Sequence, residues 1–318
     1  MTSFRITHPI LAPLLLLLLI SITQISGLPT IVIVPGAWQS PIHYTKLTTF
    51  LRSEGYPIVS RSHPSVDSLL PARRTSAGDA AAIHDNVLFP LIEEEGQDVV
   101  LVMHGYGGLV GSAATVGWSR VERREKGLPG GVIGVIFIAA FVSRIGNSMA
   151  GLMPGGRLEE WVLKYKREKK KRGKWLTLLI PHVMKPDLQT FPSTSPTSLF
   201  YNDLNPDLAA LFAHELRNQS LISLISPTGI VPPAWADNTH YAGRRAYGFT
   251  VKDEVVPLET QEAIAGLAGV DFVTRYFEAG HSPFLSVPDE LGEWIVGLAM
   301  VWEHIGGGDG GQGGVAVT

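Results

Sequence analysis

Short apolar runs broken by glycine and proline alternate along this chain with longer stretches of helical spacing. The segment "TIVIVPGAW", Thr30 to Trp38, is apolar and β-branched until Pro35 and Gly36 interrupt it, which predicts a buried strand running into a loop. A helix is predicted from Ile42 to Glu54, then the short strand "YPIVS", then a helix from Ala77 to Glu95 with Asp79 near its start. The buried strand "DVVLVMHG" follows, meets glycines, and leads into a small-residue helix, "LVGSAATVGW". "GVIGVIFIAAF" is a further buried strand. The same rhythm closes the chain with "AYGFTV", a helix from Leu258, the strand "VDFVTRYF" and a last helix from Pro288 to His304. Apolar strands alternating with helices predict a mostly parallel α/β sheet covered by helices on both faces.

The rhythm stops between Arg144 and Arg245, where proline-rich stretches, a basic run "KYKREKKKRGKW" and helical patterns without buried strands are found. The expected organisation is therefore an α/β core at 28–143 and 246–304 interrupted by an inserted helical lid at 144–245. The lid aromatics Trp161, Trp175, Phe200, Tyr201 and Trp235 are expected to pack rather than to touch a substrate. The ends differ from the core. Arg5 precedes an apolar run from Ile10 to Ile25 ending in Ser26 and Gly27, the layout of a secretory signal peptide over 1–27, with an N-terminal membrane anchor as the second reading. A secreted or lumenal protein is the corresponding expectation, and the sequon Asn218-Gln219-Ser220 would suit it as a glycosylation site. Residues 305–318, containing "GGGDGGQGG", are expected to form a flexible tail.

Composition narrows the partners. With 318 residues, 45% hydrophobic and 17% charged, the chain can bury a sizeable core. A formal net charge of -3 provides no field for nucleic acid, so the basic run is expected to be a solvated face and the ligand a small, mostly uncharged molecule. The absence of cysteine rules out a disulfide scaffold, a cysteine nucleophile and thiolate metal sites. No motif calls for a metal, a nucleotide or another cofactor.

Candidate chemistry falls in three places. Met103 to Gly108, Met-His-Gly-Tyr-Gly-Gly, has the strand, glycine turn and helix context of a nucleophile elbow, but Gly105 stands where a nucleophile would be. A phosphate loop is disfavoured there, because the turn has no lysine and the wrong spacing. "PGAW" follows the first core strand, where a loop amide contributes to an oxyanion hole, so Ala37 and Tyr106 are the candidate backbone donors. Asp253 in "FTVKDEVVP" and His281 in "FEAGHSPF" each lie just past a strand, in the order turn, acid, histidine, with Glu254 a weaker acid candidate. Ser40, Ser112 and Ser143 lack an elbow, and His104 is expected to point into the core.

These segments, with "FYNDLNPDLAALFAHEL" and "DEVVPLETQ", resemble the α/β-hydrolase fold superfamily. More narrowly they resemble its small-ester branch of plant methyl esterases, hydroxynitrile lyases and fungal relatives. The resemblance spans Thr30 to about Glu303. It implies that His281 is the catalytic base, Asp253 its orienting acid, and Ala37 with Tyr106 the oxyanion hole. The family pattern HSxGG is met here by His104-Gly105-Tyr106-Gly107-Gly108, so the nucleophile does not carry over.

Three functions follow. The first, preferred, is an enzyme that uses His281 and Asp253 as a general base with the oxyanion hole, without a covalent step. It would act by cyclisation, elimination, lactonisation, decarboxylation or water-mediated hydrolysis, in the setting of secondary-metabolite biosynthesis. The second is a non-catalytic ligand-binding protein, and the third an ordinary esterase or thioesterase that has lost its serine.

Overall fold

The computed structural model describes residues 27–143, 146–156, 158, 162–164, 189–192, 195–229 and 231–307. The expected signal peptide or anchor, the glycine-rich tail beyond residue 307, Trp161, Trp175 and nearly all of the basic run lie outside the described residues. Among the described residues, no helix is long and apolar enough to cross a membrane.

Six parallel strands form the main sheet: β1 (Thr30–Val34), β2 (Ile58–Ser60), β3 (Asp98–His104), β4 (Gly131–Ile138), β8 (Arg245–Thr250) and β9 (Val273–Phe277), in the order β2-β1-β3-β4-β8-β9. Burial follows position. Every residue of β1, β4 and β8 is buried, as their continuous apolar runs require, while edge strand β9 alternates between half-buried and exposed positions and ends on buried Phe277. The principal core helices are α1 (Thr45–Ser53), α2 (Ser76–Ile83), α3 (Gly107–Ala114), α4 (Arg120–Glu125), α5 (Leu258–Leu267) and α6 (Pro288–Gly307). α1 packs on α6, and α2 on α3. From β1 the chain moves to β2 on one side and β3 on the other. The sheet therefore has a topological switch point between β1 and β3, the crevice at which open α/β sheets bind ligands.

Three local expectations are corrected. The helix expected to run from Ala77 to Glu95 is α-helical only to Ile83 and continues as wide π turns at His84–Leu88 and Pro90–Glu94. Pro90 has no N–H, and its ring conflicts with an α-helical carbonyl four residues earlier. The insertion, read as lacking buried strands, holds a second sheet: β5 (Val162–Lys164), β6 (Gln189–Pro192) and β7 (Gln219–Ser220), antiparallel in that order. Its strands escape a hydrophobic reading because their buried positions include Thr190, Gln219 and Ser220, which are held by hydrogen bonds rather than apolar contact. In the sequon, the Ser220 hydroxyl is buried against the Pro71 and Arg74 carbonyls, and Asn218 is half-buried. Finally, Arg245, assigned to the insertion, is the first residue of β8; its buried guanidinium donates to the Trp235 carbonyl at 2.9 Å and to Asn238 Oδ1 at 2.7 Å.

Gly134 shows how closely the sheet and α6 pack. It pairs with Val100 just after a register shift between β3 and β4, and a Cβ there would lie 2.0 Å from the Trp302 indole ring. Gly134→Ala should therefore displace Trp302 and cost about 1–3 kcal/mol. In urea unfolding this is expected as a lowered midpoint with an unchanged slope, and an unaltered midpoint would refute the tight contact.

Candidate active site

The elbow is a reversal from β3 into α3 through two residues. Gly105 adopts φ +51°, the left-handed region that glycine enters freely, and its carbonyl accepts from the amides of Gly108 (3.1 Å) and Phe141 (3.0 Å). A Cβ on Gly107 or Gly108 would lie 2.4 Å from a backbone oxygen, of Val34 and Phe141 respectively, so only glycine lets α3 approach the strands this closely. At Gly105 the surroundings are different. An ideal Cβ there would make ordinary contacts, 3.6 Å to Gly36 Cα and 3.7 Å to His281 Nε2. Room for a methyl-sized group therefore lies beside the imidazole.

His281 and Asp253 are both buried, with Nδ1 of the histidine 2.8 Å from Asp253 Oδ2. That bond fixes the proton on Nδ1 and leaves Nε2, which has no protein partner, as a lone pair facing Gly105. Asp253 tolerates burial because donors surround it. Val255 N (2.8 Å) and Val256 N (2.9 Å) bind Oδ1, while Thr250 Oγ1 (2.9 Å) and Gln261 Nε2 (3.3 Å) bind Oδ2. Glu254, the weaker acid candidate, is exposed. His104 is buried as expected, but it also supports the site: its Nε2 donates to the His281 carbonyl at 2.9 Å, and the two rings are 4.6 Å apart.

The backbone amides of Ala37 and Tyr106, the expected oxyanion donors, donate to no protein acceptor. Tyr106 sits at the N-terminus of α3, where the helix dipole favours negative charge. Both residues line a cavity of about 20 Å³ with Gly105 and His281 at its base and an apolar wall of Phe141, Met149, Met153, Phe200, Val255 and Val256. Ser40, Ser112 and Ser143 are not among its lining residues, and the Ser112 hydroxyl donates to the Gly108 carbonyl.

Buried side chains behind the cavity hold the two donor-bearing segments. The Tyr106 hydroxyl donates to Asp79 Oδ2 at 2.8 Å, and Asp79, fully buried, also accepts from the Ser65 amide and hydroxyl. Gln219 Nε2 donates to Ser65 Oγ at 2.6 Å, and its Oε1 accepts from the Trp38 amide at 3.2 Å. Trp38, next to Ala37, is held at φ +61°, a strained conformation for a side-chain-bearing residue. Its indole N–H donates to Thr190 Oγ1 and its carbonyl accepts from Arg217 N. Sequence reasoning missed these roles. Asp79 had a usable signal, since it lies one helical turn before buried Ile83 and so shares that apolar face; Gln219 and Thr190 had none. Phe200 is buried, with its ring 5.4 Å from that of His281, and it forms part of the cavity wall. Trp235 does pack, against Phe137 and Phe272. Among the described residues, no group of three or more His, Asp or Glu is placed to hold a metal ion.

A parallel sheet with helices on both faces and a glycine elbow at its switch point defines an α/β-hydrolase-type fold. The model of the alpha/beta hydrolase family matches residues 31–294, and the chain belongs to that family. It is 28% identical over 277 residues to "Probable hydrolase R7" of a Phoma species, covering 85% of this chain and 98% of the relative. It is also 28% identical over 264 residues to "Alpha/beta hydrolase nvfD" of Aspergillus novofumigatus, covering 82% and 92% respectively. Among solved structures, a pyrethroid hydrolase from Sphingobium faniae is similar at a TM-score of 0.58 and 18% identity, covering 86% of this chain and 97% of that one. The methylesterase MES16 from Arabidopsis is similar at 0.58 and 18%, covering 86% and 99%. At these identities the two structures establish the shared fold.

Burial lowers the pKa of His104 well below its ordinary value of 6.5 and that of His43 in the same direction, so both remain neutral in the fold. The unfolded chain protonates them near 6.5 and the folded chain does so only at lower pH. Their contribution to stability is therefore full above 6.5 and is lost as pH falls below it, by up to about 1.4 kcal/mol per pH unit for each histidine. Urea unfolding between pH 7.5 and pH 5.5 should show this slope, reduced in His104→Gln. An equal slope in that variant would contradict a neutral His104.

Proposed function

We propose that this protein is an enzyme that uses His281 and Asp253 as a general base, without a covalent step, on a small, largely apolar ester or other carbonyl compound. The observation that carries this reading is the free Nε2 of His281, 3.7 Å from where a Gly105 Cβ would stand, beside a cavity that Ala37 and Tyr106 line with unengaged amides. A water, or a hydroxyl of the substrate, would occupy the methyl-sized space beside the imidazole. In the hydrolytic case the water oxygen bonds to the carbonyl carbon as Nε2 takes its proton. The two amides hold the resulting oxyanion, and collapse breaks the bond to the leaving alkoxide, which receives the proton from the imidazolium. The apolar wall suits an uncharged substrate, and the resemblance to fungal proteins named as hydrolases supports hydrolytic chemistry; a role in secondary-metabolite biosynthesis is part of the proposal. The layout of residues 1–27 supports placing this activity in the secretory route.

A second reading has its own observation. A Cβ at position 105 would meet only ordinary contacts, so a small side chain such as serine is opposed chiefly by its left-handed backbone, at about 1–3 kcal/mol. The site is thus equally shaped for an esterase whose nucleophile has been lost, and such a loss leaves only about 10³–10⁴-fold catalysis over water.

A panel of small methyl and 4-nitrophenyl esters separates the two. On the proposed function the native chain turns over at least one ester, and His281→Ala lowers that rate by about 10²–10⁴-fold. An inactive native chain, with activity appearing only in Gly105→Ser, would establish the second reading. In either case Gly105→Ser should fold and should be labelled covalently at residue 105 by a fluorophosphonate, as mass spectrometry would show. No label would mean that the imidazole does not address that position.

A further inference from the structure

The acid and the base of the site stand on separate loops, Asp253 after β8 and His281 after β9, and their geometry depends on how those loops are held together. The two loop backbones bond each other directly, Lys252 N donating to the Ala279 carbonyl at 2.9 Å, and one short segment of the insertion touches both. Asn202 Nδ2 donates to the carbonyl of Lys252, the residue before Asp253, at 2.8 Å. Asp203 Oδ2 accepts from the amide of Gly280, the residue before His281, at 2.6 Å. Two residues earlier, the Phe200 ring lies 5.4 Å from that of His281 and 6.0 Å from that of Trp38, on the loop that carries Ala37. Gly280 is shaped to this contact, because a Cβ there would lie 2.1 Å from Asn202 Oδ1 and 2.9 Å from Asp203 Oδ1.

The geometry points to Asn202 and Asp203 as positioning residues that staple the acid loop to the histidine loop, so that the insertion sets the hydrogen bond between Asp253 and His281. This deepens the proposed function and rests on its assignment of that pair. The physical argument is one of leverage. Each staple bond grips the backbone one residue from a functional side chain, so its loss swings that side chain about a nearby pivot. A displacement of about 1 Å is enough to cost about 100-fold in a reaction that depends on alignment. Asp203 is only partly buried and Asn202 is exposed, so neither belongs to the hydrophobic core.

The test reads the pair directly. The imidazole Nδ1 proton of His281, assigned by its loss in His281→Ala, should give a hydrogen-bonded NMR signal in the full-length native chain. Asp203→Ala should abolish that signal or speed its exchange with water at least tenfold. Asp203→Asn, which keeps a carbonyl acceptor for the Gly280 amide, should restore it. Asn202→Ala and Gly280→Ala attack the same staple from its other sides and should weaken the signal even if Asp203→Ala fails to fold. In the Gly105→Ser background, fluorophosphonate labelling should slow by about 100-fold with Asp203→Ala and recover with Asp203→Asn. An unchanged Nδ1 signal in folded Asp203→Ala or, failing that, in both other variants would overturn the staple. A native chain that lacks the signal altogether would overturn the staple together with the paired geometry it serves. An intact, Asp203-dependent signal in a chain without ester turnover would keep the staple and reject only the catalytic reading.

Discussion

The turn at Gly105 is the constraint on which the rest of this structure depends. A buried strand must become a helix within two residues, beneath a neighbouring strand whose backbone oxygens come within contact distance of α3. The left-handed conformation of Gly105 and the bare backbones of Gly107 and Gly108 make that possible. From it follow the position of the Tyr106 amide at the start of α3, the opening beside His281, and the seating of α3 between β1 and the segment after β4. The side chain that the turn would present can be absent while everything the turn positions remains.

Hydrogen-bonding capacity is distributed unevenly around the cavity. Behind it, the carboxylates of Asp253 and Asp79 are buried, and both oxygens of each are engaged. In the residues that line it, the amides of Ala37 and Tyr106 and Nε2 of His281 have no protein partner. Unpaired polar groups at such a place are costly unless a ligand or water engages them. The open groups are two donors and one acceptor, beside an apolar wall.

The insertion is a working part of the core. Thr190, Arg217 and Gln219 hold the Trp38 turn, Asn202 and Asp203 reach the loops of the acid and the histidine, and Phe200 covers the imidazole. Strain at Trp38 persists because three separate contacts over-determine it. The insertion thus contributes both to the cavity wall and to the hydrogen bonds that hold the surrounding loops.

The sequence by itself determined the sheet and most of its helices, because a strand buried on both faces must be apolar throughout and a helix must repeat its apolar positions every three to four residues. It also determined the locations of the elbow, Asp253 and His281, since each follows an unmistakable strand, and it carried the absence of a side chain at Gly105. It hid β6 and β7, whose buried residues are polar, and the first residue of β8, whose arginine reads as surface. Only the tertiary structure decided that Nε2 of His281 faces the elbow and that the amides of Ala37 and Tyr106 are free. It alone brought Asp79, Asn202, Asp203 and Gln219 to those loops. Periodicity records which residues are buried, because burial acts on each residue's own chemistry. It does not record partners, because a hydrogen bond between residues 77 or 181 positions apart leaves no local pattern in either segment.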